Sequence, residues 1–312
     1  MALDFSSCTF LGPALPAPFV KLDLEGELRK AELLPKTTGA EGRELEEGWD
    51  AYRRKLRELV ARGGSVRVFN HVIEPLVRQL GYDALEPSDP VSTRLEPKEG
   101  ENGGSILRTA DGKPKLRAWA TSFEEDLDAP AQRGAAYRYS HLRIAQRVLL
   151  ASNERVGLLT NGVQVRILIS DPARPDSEVI IPIDPDWRRS RSVPDSFLLL
   201  LALCRPEGVK AIPDLVDKAR LKQATVTKEL RVQARQAVEL FVQQVLDDPQ
   251  NQAALASIEN KQQLARQLWH EGLVTIYRLL FILKGEASDD PARSFSFAST
   301  SLWRNTYSPS VA

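Results

Sequence analysis

The 312-residue chain carries 42 Lys and Arg against 42 Asp and Glu, and 42% of it is hydrophobic, enough for one large core or two modest ones. Balanced charge means no overall positive field, so any contact with nucleic acid must come from a local patch. Two distant cysteines, Cys8 and Cys204, speak against a disulfide framework or a zinc site, and the longest apolar run, Phe197 to Cys204, is too short for a bilayer. No leader or membrane role is expected, and a reducing cytoplasm fits best.

Residues 1–44 are Pro-rich (Pro13, Pro16, Pro18, Pro35) and read as an extended arm with Phe5, Phe10, Leu11 and Phe19 as anchors. A helix is expected from Arg43 to Arg62, stopped by Gly63-Gly64, with Ser65 capping a second helix that runs to Leu80. Val68, Val72, Leu76 and Leu80 recur there at four-residue spacing and form a core face, with Glu74 beside it. His71 has no partner at metal spacing and is expected to be a hydrogen-bonded surface residue. A polar, breaker-rich loop over 83–104 leads into a hairpin whose strands flank Asp111-Gly112.

After an acidic loop (Glu124, Glu125, Asp126, Asp128), Ser140 to Asn153 has helical spacing in Leu142, Ile144, Ala145, Val148 and Leu149. The period then changes to that of a second hairpin, Arg155–Thr160 and Val163–Ile169, around Asn161-Gly162, whose positive φ angles suit a tight turn. Glu178 to Ile183 reads as an edge strand, because Pro182 cannot donate to a ladder. From Pro194 to about residue 286 the chain is helical, and a Ser-rich tail with Phe295, Phe297, Trp303 and Tyr307 is expected to dock or link. The expected fold class is α/β (α+β): a small mixed sheet with flanking helices over 45–192, then an all-α connector over 193–286 and a tail over 287–312.

The stretch Leu158-Leu159-Thr160-Asn161-Gly162-Val163-Gln164-Val165-Arg166-Ile167-Leu168 resembles a signature in the N-terminal region of type IIG-like restriction-modification enzymes. In that class a PD-(D/E)xK nuclease-type domain, a helical connector and a DNA adenine methyltransferase share one polypeptide. Phe69 to Tyr82 and Leu273 to Leu283 agree with it, so the resemblance spans roughly residues 50 to 290. It implies a PD-(D/E)xK-like core, DNA as a partner, a methyltransferase domain or subunit, and a possible helicase of a defence system. It also carries over Glu74, near the metal site of the family, and Gln146 on the following helix.

In PD-(D/E)xK nucleases an Asp on the first hairpin strand and an acid on the second hold Mg²⁺, with a Lys two positions on, so that the metal lowers the pKa of water and neutralises phosphate charge. Here those places read Gly103-Gly104 and Leu116-Arg117-Ala118-Trp119, without a carboxylate, so the motif is degenerate and no metal set is expected. The alternative, an active Mg-dependent endonuclease, would have to use Asp111 or Glu124, Asp126 and Asp128. The chain has neither a Walker-type phosphate loop nor an Asn-Pro-Pro-Tyr sequence, so S-adenosylmethionine chemistry is expected only on a downstream or partner methyltransferase. Local positive charge remains: Lys113, Lys115 and Arg117 on one strand, Arg138, Arg143 and Arg147 on the helix side, and Arg188, Arg189 and Arg191 as the tightest cluster. The resulting expectation is a non-catalytic, DNA-engaging scaffold; a protein-interaction subunit is the third alternative.

Overall fold

A computed structural model describes residues 3–59, 63–113, 115–130, 139–172, 176–287 and 294–309. The chain divides into two compact units, Met1–Ala224 and Thr225–Ala312. The first opens with β1 (Thr9–Leu11), α1 (Ala17–Leu22), α2 (Leu24–Lys30) and α3 (Gly39–Glu58). There follow α4 (Ser65–Val68), a π-helical turn (Phe69–Ile73), α5 (Leu76–Gln79), β2 (Ala84–Pro87), β3 (Ser105–Arg108) and β4 (Lys115–Ala120). Then come α6 (His141–Ala151), β5 (Val156–Thr160), β6 (Gln164–Ile169), β7 (Ser177–Pro182), α7 (Asp186–Arg189), α8 (Asp195–Cys204) and the start of α9 (Pro206–Asp247).

The seven strands form one mixed sheet in the order β1-β7-β6-β5-β4-β3-β2. Only β4 and β5 run parallel, because α6 crosses over between them; every other neighbour is antiparallel. The expected order of hairpin, helix, hairpin is therefore present as β3–β4, α6, β5–β6. All five residues of β5 are buried, which accounts for an apolar run without alternation.

Side-chain alternation divides the sheet into two faces. Leu107, Leu116, Ala118, Val156, Leu158, Val165, Ile167, Val179 and Ile181 join one large core with residues of α3, the π-helical turn and α8. Trp119, Leu159 and Leu168 point the other way and pack with Leu127 and with Ala145, Val148 and Leu149 of α6. Ser140 caps α6, its Oγ accepting from Arg143 N at 3.2 Å.

Several expectations are corrected. Residues 1–44 are not an extended arm: Phe19, Leu24 and Leu28 of α1 and α2 are at most 1% exposed. Nor is β7 an edge, because Thr9, Phe10 and Leu11 pair with Ile180, Val179 and Glu178; Pro182 lies beyond that pairing and costs no ladder bond. The second helix is not continuous. Pro75 has no amide to donate, and the chain widens into the π-helical turn before it, with Glu74 N bonded to Phe69 O at 3.0 Å. Its N-cap is Gly64 rather than Ser65, with no side-chain cap bond. The expected boundary at 192/193 is displaced to 224/225, since Ser196 to Cys204 of α8 are all buried in the core of the first unit.

The Asn161-Gly162 turn is also built differently. Gly162 alone takes a positive φ, of 83°, and the pairing of Thr160 with Val165 leaves a wider loop. Side chains close it: Asn161 Oδ1 accepts from the amides of Val163 and Gln164, both at 3.1 Å, and Thr160 Oγ1 accepts from Gly162 N at 3.1 Å. Asn161 Nδ2 then donates to Glu125 O at 2.9 Å and ties the acidic loop to the hairpin. A Cβ on Gly162 would stand 2.8 Å from Phe123 and 3.0 Å from Leu59.

In the second unit α9 is followed by α10 (Gln252–Ala256) and α11 (Lys261–Glu286). The described part of the tail folds back on the end of α11. Trp303 Nε1 and Ser308 Oγ donate to the two carboxylate oxygens of Glu286 at 2.6 and 2.8 Å. The Phe295 and Phe297 rings stack at 5.2 Å.

Candidate functional site

The strand register places Arg117 and Trp119 of β4, Arg166 of β6 and Glu178 of β7 on the α6 side of the sheet. Arg117 Nε and Nη2 donate to the two oxygens of Glu154 at 2.6 and 2.9 Å, and Nη1 donates to Ser88 Oγ and Gly103 O, both at 2.7 Å. The side chains of this pair are only 5% and 9% exposed. At this place on β4 the chain thus holds a guanidinium against a carbonyl, a hydroxyl and one carboxylate.

Backbone geometry also excludes a side chain just ahead of β3. A Cβ on Gly103 would meet Ser88 Oγ at 2.5 Å; Gly104 has a φ of 65°, and a Cβ there would meet Ala118 O at 2.5 Å. Both positions require glycine because other chain segments touch them directly.

The remaining acids are dispersed. Asp111 sits in the exposed β3–β4 turn, accepting from Thr109 Oγ1 at 2.5 Å and Lys113 N at 3.3 Å; the Thr109 hydroxyl chiefly holds its carboxyl below the usual range. Glu124 is exposed with a φ of 61°. Glu125 lies 3.0 Å from His141 Nε2, and Asp126 accepts from the amides of Asp128 and Ala129 at 2.9 and 3.2 Å. Asp128 takes two hydrogen bonds from Arg166 at 2.9 and 2.7 Å, and Arg166 also faces Glu178 at 3.3 Å. Burial pushes the Glu178 carboxyl up, against the pull of Arg166. Among the described residues no three His, Cys, Asp or Glu side chains are grouped to hold a metal ion. The arrangement at Arg117 does not fit Mg²⁺, which needs several oxygen ligands and not a resident cation.

Glu74 and Gln146 are not brought together. Glu74 is exposed on the chain segment whose Val72, Ile73 and Leu76 pack in the large core, whereas Gln146 is buried in α6 across the sheet, its Oε1 without a hydrogen-bond partner among the described residues.

The basic residues divide into committed and displayed. Arg117 is not part of a surface strip with Lys113 and Lys115; its burial and full set of bonds take it out, leaving two lysines. Arg143 pairs with Asp176 at 2.7 Å; Arg147 pairs with Glu101 at 2.6 Å and lies 4.8 Å from the Tyr139 ring centroid. Arg138 lies outside the described residues. Arg188 is bonded to Asp184 at 3.0 Å and to Leu59 O at 3.1 Å.

Arg189 and Arg191 are exposed and have no carboxylate partner among the described residues. Sequence reasoning passed over their neighbours on α3. Arg57 Nε donates to Arg188 O at 3.0 Å and Arg53 Nη1 donates to Ser190 O at 2.8 Å, so the end of α3 lies against α7. Arg54 is also exposed, its Nε bonded to Asp50 O at 3.2 Å. The only sequence signal was the run Arg53-Arg54-Lys55-Leu56-Arg57, a helix end rich in cations. Arg54 and Arg57 of α3, Arg189 at the end of α7 and Arg191 just after it are thus exposed on adjoining stretches of chain, and guanidinium side chains suit bidentate contact with phosphate oxygens. Comparisons with protein-family models, curated proteins and solved structures find no match to this chain.

Proposed function

We propose that the chain is a non-catalytic, DNA-engaging scaffold of a restriction-modification or phage-defence system, built on a PD-(D/E)xK-like core that has lost its metal cage. The observation that carries this reading is the group of Arg54, Arg57, Arg189 and Arg191, exposed and without carboxylate partners among the described residues. The hairpin, helix, hairpin order and the Arg117–Glu154 pair at the nuclease position support the same reading. Adenine methylation, with its S-adenosylmethionine, then belongs to a methyltransferase domain or subunit, and a helicase is a further candidate partner.

The test joins two assays. Purified protein should retard a labelled duplex at low salt and leave plasmid uncut in Mg²⁺ or Mn²⁺. Cleavage abolished by Asp111→Ala would select the nuclease instead, and absence of any retardation would reject DNA engagement.

A second reading, a protein-interaction subunit, is favoured by one feature of the second unit. Tyr277 and Phe281, one helical turn apart on α11, are 64% and 68% exposed and line a shallow hollow with Val274, Arg278 and Ile282. Co-purification of a methyltransferase that is lost on Tyr277→Ser with Phe281→Ser, with no DNA affinity, would select it.

A further inference from the structure

We infer that Arg53 and Arg57 are positioning residues: they clasp α7 and so hold Arg189 and Arg191 in place to meet phosphate. This rests on the reading above. A four-residue helix cannot maintain itself, so α7 and the bend after it need outside support. One helix supplies it in two layers. Trp49 and Tyr52 of α3 anchor Trp187 from below, with ring centroids 5.8 and 6.1 Å from it, and all three are at most 1% exposed.

The rim layer starts at the next positions on the same helix. Arg53 takes Ser190 O and Arg57 takes Arg188 O, carbonyls left open where α7 ends; in return Arg188 donates to Leu59 O, the open end of α3. Each helix end satisfies the other, and Arg189 and Arg191 alternate with the two clasped carbonyls. Asp50, at 2.8 Å from Arg53 Nη2, holds that side chain, which is 14% exposed and therefore a poor phosphate ligand itself.

The experiment compares the salt dependence of duplex binding, by fluorescence anisotropy, for the full chain and three variants. Arg53→Met keeps the stem and removes the donors. The slope of log affinity against log salt should fall by roughly 1 to 2, at ~0.9 per phosphate, although Arg53 itself faces little solvent, and Arg53→Lys should restore part of it. Arg57→Met lies on an exposed stem where folding is not at risk, and should lower the slope by more than the ~0.9 of its own charge. Wild-type slope in Arg53→Met, or a fall no greater than one contact in Arg57→Met, overturns the clasp. Absence of salt-dependent binding in the wild-type chain overturns instead the DNA reading on which it rests.

Discussion

Replacing Arg117 by Met should destabilise the sheet by about 3 kcal/mol. The change strands Glu154, whose carboxylate loses two charge-assisted bonds, and removes the donor from Ser88 Oγ and Gly103 O. Losing one partner of a buried pair costs about 3–5 kcal/mol. The lower end applies because Glu154, just ahead of β5, can turn toward solvent. The pair is 5% and 9% exposed, so solvent does little to screen it. Replacing both Arg117 and Glu154 by Met removes the two charges together and should recover all but about 1 kcal/mol. Urea unfolding by tryptophan emission, with amide exchange of β4 and β5 as a local check, measures both variants against the wild-type chain. A single variant that costs under about 1 kcal/mol, or a double variant as unstable as the single, would refute the idea that this ion pair occupies a closed, fully bonded site.

Asn161→Ala should cost about 2–3 kcal/mol, since three hydrogen bonds that close the β5–β6 turn and tie down Glu125 are lost together; a midpoint shift in urea checks it, and no shift would mean the turn closes without them. Gly285→Ala would put a methyl group 2.5 Å from the Phe295 ring and should release the tail from the end of α11, read as faster proteolysis near residue 300; unchanged cleavage would contradict that packing. Alkaline pH should destabilise the protein. Burial raises the hydroxyls of Tyr52 and Tyr82 and the thiol of Cys204, and pushes Cys8 to about 11. The unfolded chain loses these protons near 9.0 for the thiols and 10.0 for the tyrosines, while the folded chain keeps them. Stability is therefore full below about pH 9 and falls above it, by up to about 1.4 kcal/mol per pH unit for each group. A melting temperature that stays level from pH 8 to 11 would contradict this.

What could be read from the sequence was local. The Asp111-Gly112 turn, the place of the Asn161-Gly162 turn though not its geometry, and the spacing in α6 lie within a few residues of the structures they produce. What could not be read depended on distant pairing. β1 joins the sheet through residues near 180, and α8, a run apolar on all sides, looked like the start of a connector because its burial needs α3 and the sheet to be in place. The site divides in the same way. The missing carboxylates at Gly103, Gly104 and Arg117 were visible, but Glu154, 37 positions from Arg117, was not. Arg53 and Arg57 reach carbonyls 137 and 131 positions away, so their part in the arginine group appears only once α3 and α7 are packed.

The salt dependence of duplex binding by the Arg54, Arg57, Arg189 and Arg191 to Ala variant tests the central claim most directly. Four lost phosphate contacts, at ~0.9 each, should lower the slope of log affinity against log salt by about 3 to 4, with the thermal unfolding of the first unit retained. A folded variant whose slope equals that of the wild-type chain would contradict the account, because whatever holds DNA would then lie elsewhere on the molecule.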